Sequence, residues 1–135
     1  KTRLSLGKPK LGHLKINVSL DKKDQMLTIS FADDGAGINI NLLKNKYYAS
    51  NPSIKNLSDQ QILDLLIAGK ITSKKDVDID SGHGIGISAI AVEASQLNGK
   101  VKITTSTGNG TVLTVIVPHI QSLHFNSKTS QSAAS

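Results

Sequence analysis

Leu14, Ile16, Val18 and Leu20 alternate with polar residues, and the alternation resumes at Leu27, Ile29 and Phe31 after the polar stretch Asp21 to Gln25. A period of two puts successive side chains on opposite faces, so this stretch predicts an antiparallel hairpin with one buried face. Ser58-Asp59-Gln60-Gln61 has the form of a capping box, and Ile62, Leu63, Leu65, Leu66 and Ile67 follow it at helical spacing. That combination predicts a short amphipathic helix. A second helical pattern begins at Ile87, runs through Ile90, Ala91, Ala94 and Leu97, and stops at Asn98-Gly99, a pair suited to a C-terminal cap. Val101-Lys102-Ile103 and Val112 to Val117 then read as two strands joined by the turn Thr107-Gly108-Asn109-Gly110, with Pro118 ending the last strand. Between Ile38 and Ser81 only one helix is legible, and so long an irregular stretch suggests a lid over a ligand.

At 135 residues the chain fits one domain, placed here at residues 1–118, with a serine-rich, aperiodic stretch at 119–135 expected to be a disordered tail. No run is long and apolar enough for a membrane span, and the first residues lack a signal-peptide pattern. Cysteine is absent, which removes disulfides and thiolate metal sites and makes a cytoplasmic location the expectation. The formal net charge of +6 comes almost wholly from lysine, Arg3 being the only arginine, and aromatic residues make up 3%. Nucleic-acid readout favours arginine and stacking aromatics, so the basic surface suits a polyphosphate or an acidic partner better.

Two glycine-rich stretches carry the candidate chemistry. Asp33-Asp34-Gly35-Ala36-Gly37 closes a predicted strand, and Gly82-His83-Gly84-Ile85-Gly86 opens a predicted helix. Glycines let backbone approach a ligand closely, and a carboxylate at a strand end can select a hydrogen-bond donor. Singly, each stretch is equally readable as a turn or a packing loop. The second lacks the G-x-G-x-x-G spacing of dinucleotide sites and the Lys and Ser/Thr of a P-loop. Asp76, Asp78 and Asp80 fail as a calcium loop, because the glycine falls one position late and Ile87 stands where a bidentate Glu belongs. His13, His83, His119 and His124 have no metal-site spacing, so no metal ligands are assigned.

The order of these elements, Asp-x-Gly-x-Gly after a strand, a lid, Gly-x-Gly-x-Gly before a helix and Gly108-Asn109-Gly110-Thr111 in a hairpin, resembles the ATP-binding catalytic domain of histidine kinases. That domain falls within the wider gyrase, heat-shock chaperone, kinase and mismatch-repair ATPase group. The likeness is greatest to chemotaxis kinases of the CheA kind, through Arg3-x-x-x-Gly7-Lys8-Pro9-x-x-Gly12, Phe31 to Ile38, Ser81 to Gly86, and Leu97 to Val101, and it spans Arg3 to Pro118. His83 and Ile71 depart from that pattern, standing where such kinases carry arginine and, nearby, a lid phenylalanine.

The resemblance implies a two-layer α/β sandwich, a mixed and mostly antiparallel sheet packed on helices. It implies ATP and Mg²⁺ as cofactors. Asp33 would accept a hydrogen bond from the adenine amino group, with Gly35 and Gly37 turning beside the base and Thr111 supporting the adenine end. Gly82, His83, Gly84, Ile85 and Gly86 would bring backbone to the phosphates, with Lys44 and Lys46 as further phosphate contacts. The family's asparagine-bearing first helix, which supplies the metal ligand, is expected before Arg3 and so outside this chain, and catalysis is not expected of this stretch alone. The implied activity is phosphorylation of a histidine on a separate phosphotransfer domain, with a response regulator downstream. A homodimer is a separate hypothesis, which follows instead from the apolar surface that the missing first helix would leave exposed. A degenerate nucleotide- or partner-binding module and a hydrolytic ATPase are the competing readings.

Overall fold

The computed structural model describes residues 2–71 and 86–119. Asp76, Asp78 and Asp80 of the expected lid, the glycine stretch up to Ile85, and residues 120–135 of the expected tail lie outside the described residues. A single helical turn, α1 (Thr2–Ser5), leads into the predicted hairpin, β1 (Leu14–Asp21) and β2 (Met26–Asp33). Next come α2 (Ile40–Tyr47), a 3₁₀ turn (Pro52–Asn56), α3 (Asp59–Ile67), α4 (Gly86–Gln96), β3 (Lys100–Ser106) and β4 (Gly110–Pro118). The four strands lie in the order β1-β2-β4-β3, and every pairing among them is antiparallel.

Cross-strand partners share a face, so the register assigns the two sides of the sheet. One side carries rows such as Ile16, Phe31, Leu113 and Ile103, and the other carries Asn17, Ser30, Thr114 and Lys102. Helices α3 and α4 pack on β3 and β4. They bury Ile103 to 2% exposure, and the fully buried Ile54 and Ile62 join Leu43, Leu66, Ile71 and Ile103 in the core. The expected α/β layering is therefore present, and Ile71 serves it as a core residue. At the opposite edge the same apolar face is open, with Val18 64% and Ile16 55% exposed on β1. Full burial of such a side chain is worth about 1.5–3 kcal/mol relative to full exposure, and these partly exposed residues forgo a fraction of that.

Helix ends follow local chemistry. Ser58 accepts from the Gln61 amide at 3.2 Å while Gln61 Oε1 accepts from the Ser58 amide at 2.7 Å, so the predicted capping box starts α3. At the end of α4, the Gly99 amide donates to Ala94 O at 2.7 Å and the Asn98 amide to Ser95 O at 2.9 Å. These two bonds form a Schellman motif in which Asn98, at φ 56°, supplies the left-handed residue.

The segment after Ile38 is more ordered than its sequence suggests. Asn39 Oδ1 accepts from the Leu42 amide at 2.9 Å and caps α2, whose only fully buried residue is Leu43. Ile40, Leu43 and Tyr47 lie at helical spacing and pack on the core, but two asparagines and two lysines break up so short a pattern, and periodicity alone leaves α2 unread.

Candidate functional site

The rows of the apolar face end in polar groups. Beyond Phe31, Leu113 and Ile103, the next row on the same face is Asp33 on β2, Thr111 on β4 and Thr105 on β3, joined by direct register. Asp33 is exposed. Its Oδ1 accepts the Gly35 amide at 2.7 Å, a local turn that orients the carboxylate. Oδ2 has no hydrogen-bond donor among the described residues. The sheet thus presents one carboxylate acceptor at the margin of an apolar surface, an arrangement suited to a flat, partly apolar ligand with an exocyclic amino group.

Two glycines let the surrounding chain close onto this carboxylate. Gly37 sits at φ +70°, and a Cβ there would overlap the carbonyl oxygen of Ser106. Gly110 sits at φ +106°, and a Cβ there would overlap the carbonyl oxygen of Asp33 itself. The β3-β4 turn is stitched to the glycine loop by the Gly108 amide, which donates to Ala36 O at 2.7 Å. Thr105 makes the second stitch, since its Oγ1 accepts the Ile38 amide at 2.8 Å.

From the other side the N-terminal segment grips the residue after Asp33. The guanidinium of Arg3 donates to both carboxylate oxygens of Asp34, Nη1 to Oδ1 at 2.6 Å and Nη2 to Oδ2 at 2.9 Å. It also donates to the carbonyls of Asp34, Pro9 and Leu11. Lys8 Nζ donates to Asp34 O at 2.6 Å and Gly35 O at 2.8 Å, and the His13 amide to Asp34 Oδ1 at 2.9 Å. The Arg3 fork, followed by the His13 amide, holds the Asp34 carboxyl well below the usual carboxylate range, and Asp34 in turn raises the Arg3 guanidinium.

Because the folded-state pKa of Asp34 is depressed, its contribution to stability is complete above the unfolded carboxylate value and declines as pH falls below it. Arg3→Ala should therefore lower stability, with the gap from the parent protein constant from neutral pH down to about 4 and narrowing below that. Arg3→Lys should restore only part, because one ammonium cannot span both oxygens. Urea melts of the three proteins across pH 2.5–8 check this, and a gap that widens in acid refutes it.

The remaining sequence-nominated residues are dispersed. Lys44 Nζ lies 3.2 Å from Asp59 Oδ1, tying α2 to the start of α3. Lys46 lies 5.5 Å from the Tyr47 ring centroid. Gly86 is the first residue of α4, while Gly82, His83, Gly84 and Ile85 lie outside the described residues. A pocket of about 250 Å³ lined by Gly37, Ile38, Asn39, Leu42 and Leu43 adjoins the glycine loop. A larger groove of about 430 Å³ between α3 and α4 contains none of the nominated residues. Asp33, Gly35, Gly37 and Thr111 are thus brought together.

Residues 6–121 match the family described as histidine kinase-, DNA gyrase B-, and HSP90-like ATPase. The chain belongs to that family. It is 28% identical over 118 residues to the chemotaxis protein CheA of Klebsiella aerogenes, covering 87% of this chain and 18% of that protein. It is 29% identical over 121 residues to the gliding motility regulatory protein of Myxococcus xanthus, covering 87% and 15%. Identity to CheA of Rhizobium meliloti is 30% over 119 residues, covering 86% and 15%. The chain thus spans less than a fifth of the length of each of these relatives. Membership of this ATPase family implies ATP as the ligand, and no described helix is long and apolar enough to cross a membrane.

Sequence reading missed Thr105 and the Arg3–Asp34 clamp. Threonine in a strand is unremarked by any pattern. The sole arginine was visible, but nothing local pairs it with a carboxylate 31 positions on.

Proposed function

We propose that this chain is the ATP-binding domain of a CheA-like histidine kinase, working with a separate histidine phosphotransfer domain and a downstream response regulator. The observation that carries the reading is the carboxylate of Asp33, oriented through Oδ1 and open at Oδ2, beside Thr111 at the end of an apolar row, in a chain of this ATPase family. The adenine amino group would donate to Asp33, and the ring would lie toward the apolar face. Backbone of the Gly82 to Gly86 stretch and the start of α4 would approach the phosphates. Lys44 and Lys46 would add phosphate contacts, Lys44 only by leaving Asp59. A net charge of +6 favours capture of the polyanion.

Phosphoryl transfer then depends on positioning and charge neutralisation, with the γ-phosphorus bonding to an imidazole nitrogen of the acceptor as ADP departs. Mg²⁺ supplies charge neutralisation in chemistry of this kind. The group that would hold it is expected on the asparagine-bearing helix that precedes Arg3 in the family. Radiolabelled ATP given to the intact protein with its phosphotransfer domain should yield label on that domain that survives base and is lost in acid. Calorimetry should show ATP binding beforehand. Binding without transfer would favour a nucleotide-binding module that has lost catalysis, and release of inorganic phosphate alone would favour a hydrolytic ATPase.

A further inference from the structure

Thr105 has three hydrogen-bond partners around one hydroxyl. Its Oγ1 receives the Ile38 amide at 2.8 Å, donates to the Gly110 carbonyl at 3.0 Å and lies 3.2 Å from Thr111 Oγ1. A hydroxyl has one proton and two acceptor sites. The Gly110 carbonyl can only accept, so it takes the Thr105 proton, and the Ile38 amide can only donate, so it takes one lone pair. The contact with Thr111 is then a hydrogen bond only if Thr111 donates into the second lone pair. With its proton committed, Thr111 Oγ1 offers only lone pairs to anything approaching from the Asp33 side.

We infer that Thr105 is a positioning residue that fixes the polarity of the Thr111 hydroxyl, making Thr111 an acceptor beside the Asp33 carboxylate. Resting on the nucleotide reading above, this adds a specificity element to it. Two neighbouring acceptors, one a carboxylate and one a hydroxyl held in a single orientation, favour a ligand edge or bridging water that donates. The 6-amino group of adenine meets that demand at the 6-position, whereas a 6-oxo purine presents an acceptor there and carries its donor at N1. Were the Thr111 proton free to turn outward, the site would tolerate an oxo group at the cost of one hydrogen bond. Thr105 touches no ligand in this scheme and acts through Thr111.

The test compares ATP with ITP, which carries an oxo acceptor in place of the 6-amino donor and a proton on N1, as ligands of the intact protein. Thr105→Val should weaken ATP about tenfold while leaving ITP unchanged or tighter, since the loss of one oriented hydrogen bond is specific to the amino ligand. Thr105→Ser should restore the parent preference. In a Thr111→Val background, Thr105→Val should have no further effect on the ATP-to-ITP ratio. Parallel loss of both nucleotides, or a ratio that still responds without the Thr111 hydroxyl, would mean that Thr105 merely supports the loop, and the inference falls.

Neutron diffraction of the deuterated, nucleotide-free protein tests the same point without a ligand. It should place the Thr111 deuterium toward Thr105 and the Thr105 deuterium toward Gly110. A Thr105 deuterium directed at Thr111 overturns the inference even if ATP binds. A protein that binds neither nucleotide but shows the expected deuterium positions would retain the hydroxyl polarity and lose the nucleotide reading instead.

Discussion

Asp33→Asn is expected to weaken ATP binding by about a hundredfold, as expected when a charged acceptor is replaced by a group that cannot satisfy its partner. The substitution preserves shape. Its amide oxygen can still accept from the Gly35 N–H, the contact that now holds Oδ1 at 2.7 Å. That contact, however, turns the new NH₂ toward the ligand, where Oδ2 had been, so donor would meet donor. Asp33 is exposed and makes no ion pair in the described structure, so the fold should be unaffected. Calorimetry with ATP, paired with a thermal melt, separates the two effects. Full ATP affinity in a folded Asn variant would remove the adenine contact assigned to Asp33.

Gly110→Ala should be the most destabilising single change at the site, by about 3 kcal/mol, combining strain at positive φ with steric overlap. At φ +106° an L side chain is strained before any neighbour is considered. The neighbour is also rigid: the Cβ would overlap the Asp33 carbonyl, and β2 and β4 are fixed in register on both sides of that point. Relief would need the two strands to part where Asp33 and Thr111 face each other. Gly108→Ala is the control, because φ is again positive, +83°, but nothing lies within 4 Å of the added carbon. Urea denaturation should therefore show a clearly larger drop for Gly110→Ala than for Gly108→Ala. Equal losses would mean that backbone strain alone, without the close approach to Asp33, explains the glycine.

Much of the scaffold was legible because its signals are local. The alternation from Leu14 to Phe31 became β1 and β2, and Ser58 with Gln61 became the cap of α3. Asn98-Gly99 did end α4, although Asn98 takes the left-handed position and Gly99 lies against the Ile116 carbonyl, a close approach that no local pattern reveals. Helix α2 was missed because its apolar stripe, Ile40, Leu43 and Tyr47, is short and interrupted by asparagine and lysine, and only its packing against Ile54 and Ile62 shows it as one face. Lys44 was nominated from its charge, and its pairing with Asp59 depends on how α2 and α3 are set against each other.

The candidate site divides in the same way. By itself the sequence determined most of the elements, the family likeness and the residue types nominated for the ligand: a carboxylate at a strand end, glycines around it and a threonine in the last hairpin. These are properties of neighbouring residues, encoded by periodicity, turn chemistry and motif order. Only the tertiary structure decided that Asp33, Thr111 and Thr105 form one row across three strands, that Arg3 and Lys8 hold the Asp34-Gly35 backbone, and that Thr105 exhausts its hydrogen bonds. Register and side-chain donor counts arise between segments far apart in the chain, and the geometry that joins them exists only once β2, β3 and β4 are paired.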